Sequence, residues 1–348
     1  MSTDTAVSPS AGQLTAADRS RAGRRAAAVA AAAGIALVLL AAADLSLGTP
    51  DLGLHAVWQA LSGPAGQTDH LLVWQSRLPR FVLGALAGAL LALAGLLMQD
   101  GMRNALAGPE LLGVSSGAAA VMAAITVFSL PVPAGLQPAA ALGGGLLGGG
   151  AVVWASRHGQ DPARVILIGV AVSALLNAVI TTIISLGSQD TVALFYSYLV
   201  GTLQDRTWQQ VLLVLPWLPA AAIGYALTRR LNILQLGDTV ATGLGVRAGR
   251  LRIGILVLAI AAVCSVVATC GPIGYVSLLA PHIVRRVLST RDARLVLPVA
   301  MLAGAVVLTA ADLVARVLLG PLEVPAGIWT TLLGGPLLLL VLGKRLGR

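Results

Sequence analysis

The stretch QLGDTVATGLGV, Gln235–Val246, is a polar island punctuated by glycines between two long apolar runs. Because glycine favours turns and weakens helices, Gly237, Gly243 and Gly245 predict a short helix between turns in place of one continuous rod. Five arginines flank the island, namely Arg229, Arg230, Arg247, Arg250 and Arg252. Arginine-rich loops between apolar segments face the cytoplasm. The island is therefore interpreted either as a cytoplasmic surface on which a partner protein binds and exerts force, or as an ordinary charged loop.

The composition around this island is that of a membrane protein. Of the 348 residues, 57% are hydrophobic and 11% are charged, and the mean hydropathy is +0.87. A soluble domain cannot bury this much apolar surface, so we expect an all-α polytopic membrane protein in a lipid bilayer. The net charge of +9 is scattered in short clusters, which argues against a nucleic-acid partner. Cys264 and Cys270 lie on different faces of one predicted helix, so we expect no disulfide between them.

About ten apolar segments of helical length run along the chain. Residues 1–25 are polar and predict a disordered cytoplasmic tail, and the first apolar run after them is too long and too late for a signal peptide. Gly271, Pro272 and Pro281 predict that the eighth segment is a broken or half helix that faces protein or a cavity. The segment 187–210 is too polar to span and is expected at the outer face, partly as a short helix. The predicted spans are residues 26–47, 81–98, 117–130, 139–155, 165–186, 211–228, 253–270, 271–288, 295–317 and 328–342.

The distribution of basic residues orients these spans. Of the 23 lysines and arginines, 19 fall in segments that alternation places inside and four fall outside. Cytoplasmic loops carry an excess of basic residues, so both termini are predicted to be cytoplasmic. The four outer arginines are Arg77, Arg80, Arg206 and Arg316.

Several motifs occur in a fixed order over about 260 residues. RLPR begins at Arg77 and precedes a glycine-rich run, and the next loop reads QDGMRNALAGPELLGVSSGA, Gln99–Ala118. GPIGYVSLLAPHIVR ends at Arg285, and EVPAGIWTTLLGGP ends at Pro336. The series resembles the FecCD family, the permease subunits of binding-protein-dependent importers for iron-siderophores, haem and cobalamin. The sequence departs from the residues usual in that family at Ala105, Tyr275 and Ser277.

The resemblance implies a type II ABC importer permease fold, in which a homo- or heterodimer of ten-helix subunits encloses a central pathway. The permease domain would cover residues 26–348, with inverted four-helix repeats at about 79–186 and 251–342 around a cytoplasmic coupling loop, 229–252. That loop would contact separate ATPase subunits. The residues expected there are Gln235, Leu236, Gly237, Asp238, Ala241, Gly243, Leu244 and Gly245.

Two further sites are implied by the resemblance. Arg77, Arg80 and Arg316 match positions that meet carboxylates of an extracytoplasmic substrate-binding protein. The alternatives are lipid anchoring and, for Arg316, pairing with Asp312, which lies four residues earlier. An inner gate is expected at Pro162 and Ala163.

Nothing in the sequence supplies an energy source. The single lysine, Lys344, does not stand in a phosphate-binding loop, so ATP and Mg are expected on the partner ATPase and no cofactor, metal or catalytic residue in this chain. An ion-coupled secondary transporter is the alternative, but Asp44 and Asp312 do not form an intramembrane carboxylate relay. His282 is interpreted either as a packing or capping residue or as a ligand. The sequence therefore favours a permease in the cytoplasmic membrane and leaves its substrate open.

Overall fold

The protein is described by a computed structural model that covers residues 16–63, 66–158, 161–318 and 323–346. All regular structure within these ranges is helical, which confirms the predicted all-α class. A π-helical turn, Leu72–Arg77, leads into the fourth helix. In chain order the α-helices are α1 (Ala16–Ser46), α2 (Leu54–Ser62), α3 (Gln67–Leu71), α4 (Leu78–Gly101), α5 (Val114–Val127), α6 (Gln137–Ala155), α7 (Pro162–Ser185), α8 (Gln189–Leu199), α9 (Trp208–Val214), α10 (Pro219–Leu234), α11 (Asp238–Gly243), α12 (Ala248–Cys270), α13 (Val276–Leu288), α14 (Ala293–Val317) and α15 (Ala326–Leu346).

Seven helical segments in the described part of the chain are long and apolar enough to cross a membrane. They are residues 20–46, 68–101, 134–155, 162–185, 208–234, 248–270 and 293–317. Each of the ten predicted spans overlaps a helix, but the number ten is not confirmed. Two of the predicted spans fall on α5 and α13, which have 14 and 13 residues and are too short to cross a hydrocarbon core of about 30 Å alone.

Helix α1 corrects the predicted boundary of the N-terminal tail. It begins at Ala16, so residues 16–25 are helical and not disordered. Alanine and arginine are strong helix formers, and polar residues continue a helix readily where it leaves an apolar environment. Residues 1–15 of the predicted tail lie outside the described residues.

The core is built around α4 and α12. In their most apolar stretches 72% and 78% of the residues are buried, against 6% in α1 and 11% in α7. Helix α4 reaches this depth because its glycines admit neighbouring backbones. A Cβ on Gly88 would lie 2.2 Å from the Gly304 carbonyl oxygen of α14, and one on Gly95 would lie 1.8 Å from the Ser277 carbonyl oxygen of α13. Small residues permit this close packing of membrane helices.

Packing partners correspond between the two halves of the chain. Helix α4 packs most extensively on α14, and α12 packs on α6, where a Cβ on Gly149 would lie 2.7 Å from Ile260. If α4 to α7 form one repeat and α12 to α15 the other, each of these contacts joins the first helix of one repeat to the third helix of the other. Two inverted repeats would give this reciprocal packing of first helix on third helix. The repeats themselves stay a prediction.

The predicted break in the eighth apolar segment is present. Helix α12 ends at Cys270, the backbone runs without helix from Gly271 to Tyr275, and α13 begins at Val276. Both residues that bound the break have left-handed backbone angles, with φ of 76° at Gly271 and 67° at Tyr275. Cys264 and Cys270 are buried free thiols.

Candidate functional site

The polar island Gln235–Val246 forms a separate short helix. Helix α11 is bounded by Gly237 and Gly245, whose φ angles are 112° and 79°, so the predicted helix between turns is confirmed. Gly243 differs from the other two because it is the last helical residue and has no left-handed φ. Glycine tolerates the left-handed region, which explains why it occupies both turns.

Three large apolar side chains in and beside this helix are exposed. Leu236, Val240 and Leu244 recur at four-residue spacing, and their exposed fractions are 63%, 48% and 60%. Val240 was missed by the sequence analysis, although the spacing of four was visible in it. Ala241, which was expected at the contact with the ATPase, is fully buried against the rest of the chain, and its role there stays a prediction.

Asp238 opens α11 and joins it to two other elements. Its carboxylate oxygens accept hydrogen bonds of 2.7 and 2.8 Å from Arg252 of α12, and Arg103 after α4 lies 3.2 Å away. The hydrogen bonds from Arg252 lower the pKa of Asp238, and burial opposes them. We use the name inner cluster for six residues: Asp238, Arg252, Arg103, Arg285, Gln99 and Asp100.

The rest of the inner cluster lies on the last turn of α4 and on α13. Arg285 of α13 donates to Gln99 at 2.5 Å and to Asp100 at 2.8 Å. Gln99 in turn donates to the carbonyl oxygen of Leu278 at 3.3 Å, near the start of α13. The last turn of α4 is therefore attached to both ends of the half helix α13, a set of contacts that the sequence analysis missed.

At the opposite end of the helices, Arg80 of α4 lies in a buried ion-pair cluster. It donates to both carboxylate oxygens of Asp312 at 2.7 and 3.0 Å and to Glu323 at 2.9 Å. The side chains of Arg80 and Asp312 are 10% and 4% exposed. This fork-to-carboxylate geometry is the strongest form of such a pair.

Two more arginines complete this outer cluster. Arg316 binds the Asp44 carboxylate at 2.8 Å and the Asp44 carbonyl at 2.5 Å. Arg77 donates to the carbonyl oxygens of Leu45 and Ser46 at 2.6 and 3.1 Å, which satisfies groups that the end of α1 leaves free. The predicted pair of Asp312 with Arg316 is wrong, since the approach of α4 to α14 brings Arg80 to Asp312 instead.

Burial changes the interpretation of the outer arginines. Arg77, Arg80 and Arg316 are 3%, 8% and 8% exposed, so they are not free charges on the surface. Their expected contact with a binding protein stays a prediction. The expectation rests on the family resemblance, and the structure adds that all three side chains already have partners within the chain.

The expected gate residues lie at the start of α7. Pro162 is its first residue, a favoured position for proline, and the adjacent Ala163 is exposed. Residues 159 and 160 of the same loop lie outside the described residues. The structure brings Pro162 and Ala163 into neither charged cluster.

A half-buried carboxylate also reaches the broken helix. Glu110, in the 3-10 turn Pro109–Leu112, accepts a hydrogen bond from the hydroxyl of Ser277. A Cβ on Gly108 would lie 2.0 Å from the Glu110 carboxylate, so the glycine leaves room for it. Ser277 had been noted only as a departure from a motif. In the described part of the chain, no three His, Cys, Asp or Glu side chains come together as metal ligands would.

Comparison of the sequence and the structure with those of known proteins found a family and individual proteins that this chain resembles. The profile of the FecCD transport family matches residues 35–344. The achromobactin transport system permease protein CbrC of Dickeya dadantii is 37% identical, over 89% of this chain and 90% of its own length. The Fe(3+) dicitrate transport system permease protein FecD of Escherichia coli is 38% identical, over 87% and 96%. A solved metal-chelate type ABC transporter in an inward-facing conformation superposes with a TM-score of 0.80 at 28% identity, covering 91% of this chain and 99% of that one.

Proposed function

Because this chain belongs to the FecCD transport family, it is a permease subunit of an ABC importer, and we propose that it moves a ferric siderophore or a related iron, haem or cobalamin complex into the cytoplasm. The observation that carries the assignment is the family match over residues 35–344, nearly the whole described chain. Relatives named for achromobactin and Fe(3+) dicitrate support an iron chelate. The membrane carboxylates support an importer over an ion-coupled transporter, because Asp44 and Asp312 are held by arginines.

The partners follow from this role. A separate ATPase would hold ATP and Mg, an extracytoplasmic binding protein would deliver the chelate, and a second permease subunit would complete the pathway. We place the chain in the cytoplasmic membrane with both termini inside, on the strength of its basic inner segments. The largely exposed helices α1 and α7 leave surface for lipid and for the second subunit.

The ATPase is expected to dock on α11. Exposed apolar side chains suit an apolar groove in a partner, and we call Leu236, Val240 and Leu244, which lie in and on either side of α11, the proposed docking face. Of the residues predicted from the sequence, Gln235 and Asp238 flank this face, whereas Gly237 and Gly245 set its turns. Gly245 has a φ of 79°, which a β-branched residue rarely adopts. Replacement of Gly245 by valine would therefore distort the turn beside the docking face.

An assay with the reconstituted complex tests the proposed function. The permease, its ATPase and its binding protein are placed in liposomes and supplied with ferric dicitrate, ferric achromobactin, haem or cobalamin. We expect uptake of one of these only with hydrolysable ATP. The paired change Leu236→Asp and Leu244→Asp should abolish ATPase docking and uptake, whereas Arg294→Gln, at an exposed position outside the loop 229–252, should leave both intact. Uptake that is independent of ATP but follows an ion gradient would support the secondary transporter.

Pro162 and Ala163 are proposed to lie at the inner gate, since they begin a helix beside a short loop. Cysteines introduced at Ala163 in both subunits should crosslink more readily in one nucleotide state than in the other. Equal yields in every state would remove the gate from this position.

A further inference from the structure

A continuous series of polar contacts runs from the docking helix to the broken helix. Its first link is Arg252, which is only 2% exposed although it is charged. One edge of its guanidinium holds both carboxylate oxygens of Asp238 on α11, and its Nε donates to the carbonyl oxygen of Gly101 at 3.1 Å. Gly101 is the last residue of α4. A single side chain on α12 therefore attaches α11 to the end of α4.

The second link starts in the same turn of α4. Gln99 and Asp100 are bound by Arg285, which lies one turn before the end of α13. Gln99 also reaches the start of α13 through the Leu278 carbonyl. Gln235, just before α11, lies beside Asp100, and neither Gln235 Nε2 nor Asp100 Oδ2 has a well-formed hydrogen bond. The polar groups of α11, α4 and α13 thus meet around one helical turn.

We infer that Arg252 and Arg285 are positioning residues in series, through which a movement of α11 shifts the end of α4 and, with it, the half helix α13. This inference rests on the proposed function, because it takes α11 as the ATPase docking helix. The half helix is the element that would respond, because it is short, follows a non-helical segment and is fixed at both ends to α4. Movement of such an element can open or close a central pathway.

Geometry favours this route over a general effect of packing. Arginine can hold a carboxylate with two nitrogens and a carbonyl with the third, whereas a lysine ammonium concentrates its charge at one point. Replacement of Arg252 by lysine should therefore keep the attraction to Asp238 and weaken the attachment to Gly101. Arg286 is a matched control, because it follows Arg285 directly on α13, lies outside the coupling loop 229–252 and is exposed.

The test measures how many ATP molecules are hydrolysed per substrate molecule imported. Complexes of the wild type, Arg252→Gln, Arg252→Lys, Arg285→Gln, the double glutamine variant and Arg286→Gln are reconstituted with the ATPase and binding protein. The probe is ferric dicitrate or whichever of ferric achromobactin, haem and cobalamin the wild type imports. Binding of the ATPase is measured separately by co-purification.

We expect Arg252→Gln and Arg285→Gln to bind the ATPase normally and to raise the ATP consumed per import at least tenfold. Arg252→Lys should give an intermediate ratio, and Arg286→Gln should match the wild type. Two links in series fail together, so the double variant should be no worse than the more severe single variant. A purely structural role would lower the yield of folded complex and leave the ratio of each folded complex unchanged.

The inference is overturned if intact Arg252→Gln and Arg285→Gln complexes keep a ratio within twofold of the wild type, or if the two effects multiply in the double variant. Loss of ATPase binding in Arg252→Gln would also overturn it, because Arg252 would then shape the docking surface. If Arg252→Gln does not fold, Arg252→Lys and Arg285→Gln decide the question. A wild-type complex that imports none of the probes with ATP would instead overturn the proposed function, and this inference with it.

Discussion

Buried charge is the main feature of this protein at the scale of single residues. In the outer cluster, Arg77, Arg80 and Arg316 are balanced by the three carboxylates of Asp44, Asp312 and Glu323. A buried ion pair contributes little net stability compared with an apolar pair, but the loss of one partner leaves the other charge buried and uncompensated. These arginines therefore fix the outer ends of α1, α4 and α14 relative to one another, whatever else they bind.

Replacement of Arg80 by glutamine tests this account. Because Asp312 would lose its bidentate partner, we expect the free energy of unfolding in detergent to fall by about 3–5 kcal/mol. Arg247→Gln, at an exposed position, should stay within about 0.5 kcal/mol of the wild type. Addition of Asp312→Asn to Arg80→Gln should restore most of the loss. An Arg80→Gln variant as stable as the wild type would show that the ion pair does not fix these helices.

The same double variant separates stability from docking. Once the buried charge is removed in a balanced way, affinity for the binding protein at low salt reports on the role of Arg80 at the surface. Close charge pairs at interfaces couple by about 1.5 kcal/mol or more, so a docking arginine should cost at least about tenfold in affinity. Unchanged affinity would assign Arg80 to contacts within the chain alone.

Glycine determines how closely the helices approach one another. On α4, Gly88 and Gly95 face backbone carbonyls of α14 and α13, and backbone cannot move aside as a flexible side chain can. Gly254 on α12 is the opposite case, because a Cβ there would meet nothing within 4 Å. The two kinds of position are alike in sequence and differ only in their surroundings.

Substitution of these glycines by alanine should have opposite effects. Gly88→Ala is expected to lower the free energy of unfolding by about 3 kcal/mol, at the upper end of the usual cost of overpacking, because α4 and α14 must separate. Gly254→Ala should raise it by about 0.4–1 kcal/mol through the lower entropy of the unfolded chain. Thermal or denaturant unfolding in detergent measures both. Equal behaviour of the two variants would contradict the close α4–α14 contact.

Sequence patterns predicted the elements better than their contacts. Apolar runs located the helices, and the glycines around α11 and the Gly271–Pro272 pair correctly predicted a short helix and a broken one. Pairing failed because Asp312 was assigned to the nearest arginine on its own helix. Its actual partner, Arg80, lies 232 residues away and is brought there by packing at Gly88 and Gly304. No local pattern carries that information, although the glycines did indicate close packing.

Across the whole molecule, the two charged clusters lie at opposite ends of the same helices. Helix α4 carries Arg80 near its first residue and Asp100 near its last. Helices α12 and α14 run in the opposite direction, since α12 carries Arg252 of the inner cluster near its start and α14 carries Arg316 of the outer cluster near its end. Each cluster would thus occupy one membrane surface, with the inner cluster beside α11.

Labelling of single introduced cysteines tests this orientation. Gly53, in the exposed turn before α2, and Thr242, on the exposed face of α11, belong to opposite ends of the molecule. The native Cys264 and Cys270 are buried and should not react, so the unmodified protein is the control. Because 19 of the 23 basic residues fall in segments that the sequence predicts to lie on the same side as α11, that side should be cytoplasmic. A membrane-impermeant maleimide should therefore label Gly53→Cys in intact cells and Thr242→Cys only after permeabilisation. The reverse pattern would place α11 outside, where no ATPase could reach it, and would exclude both the docking helix and the series of contacts that begins at Arg252.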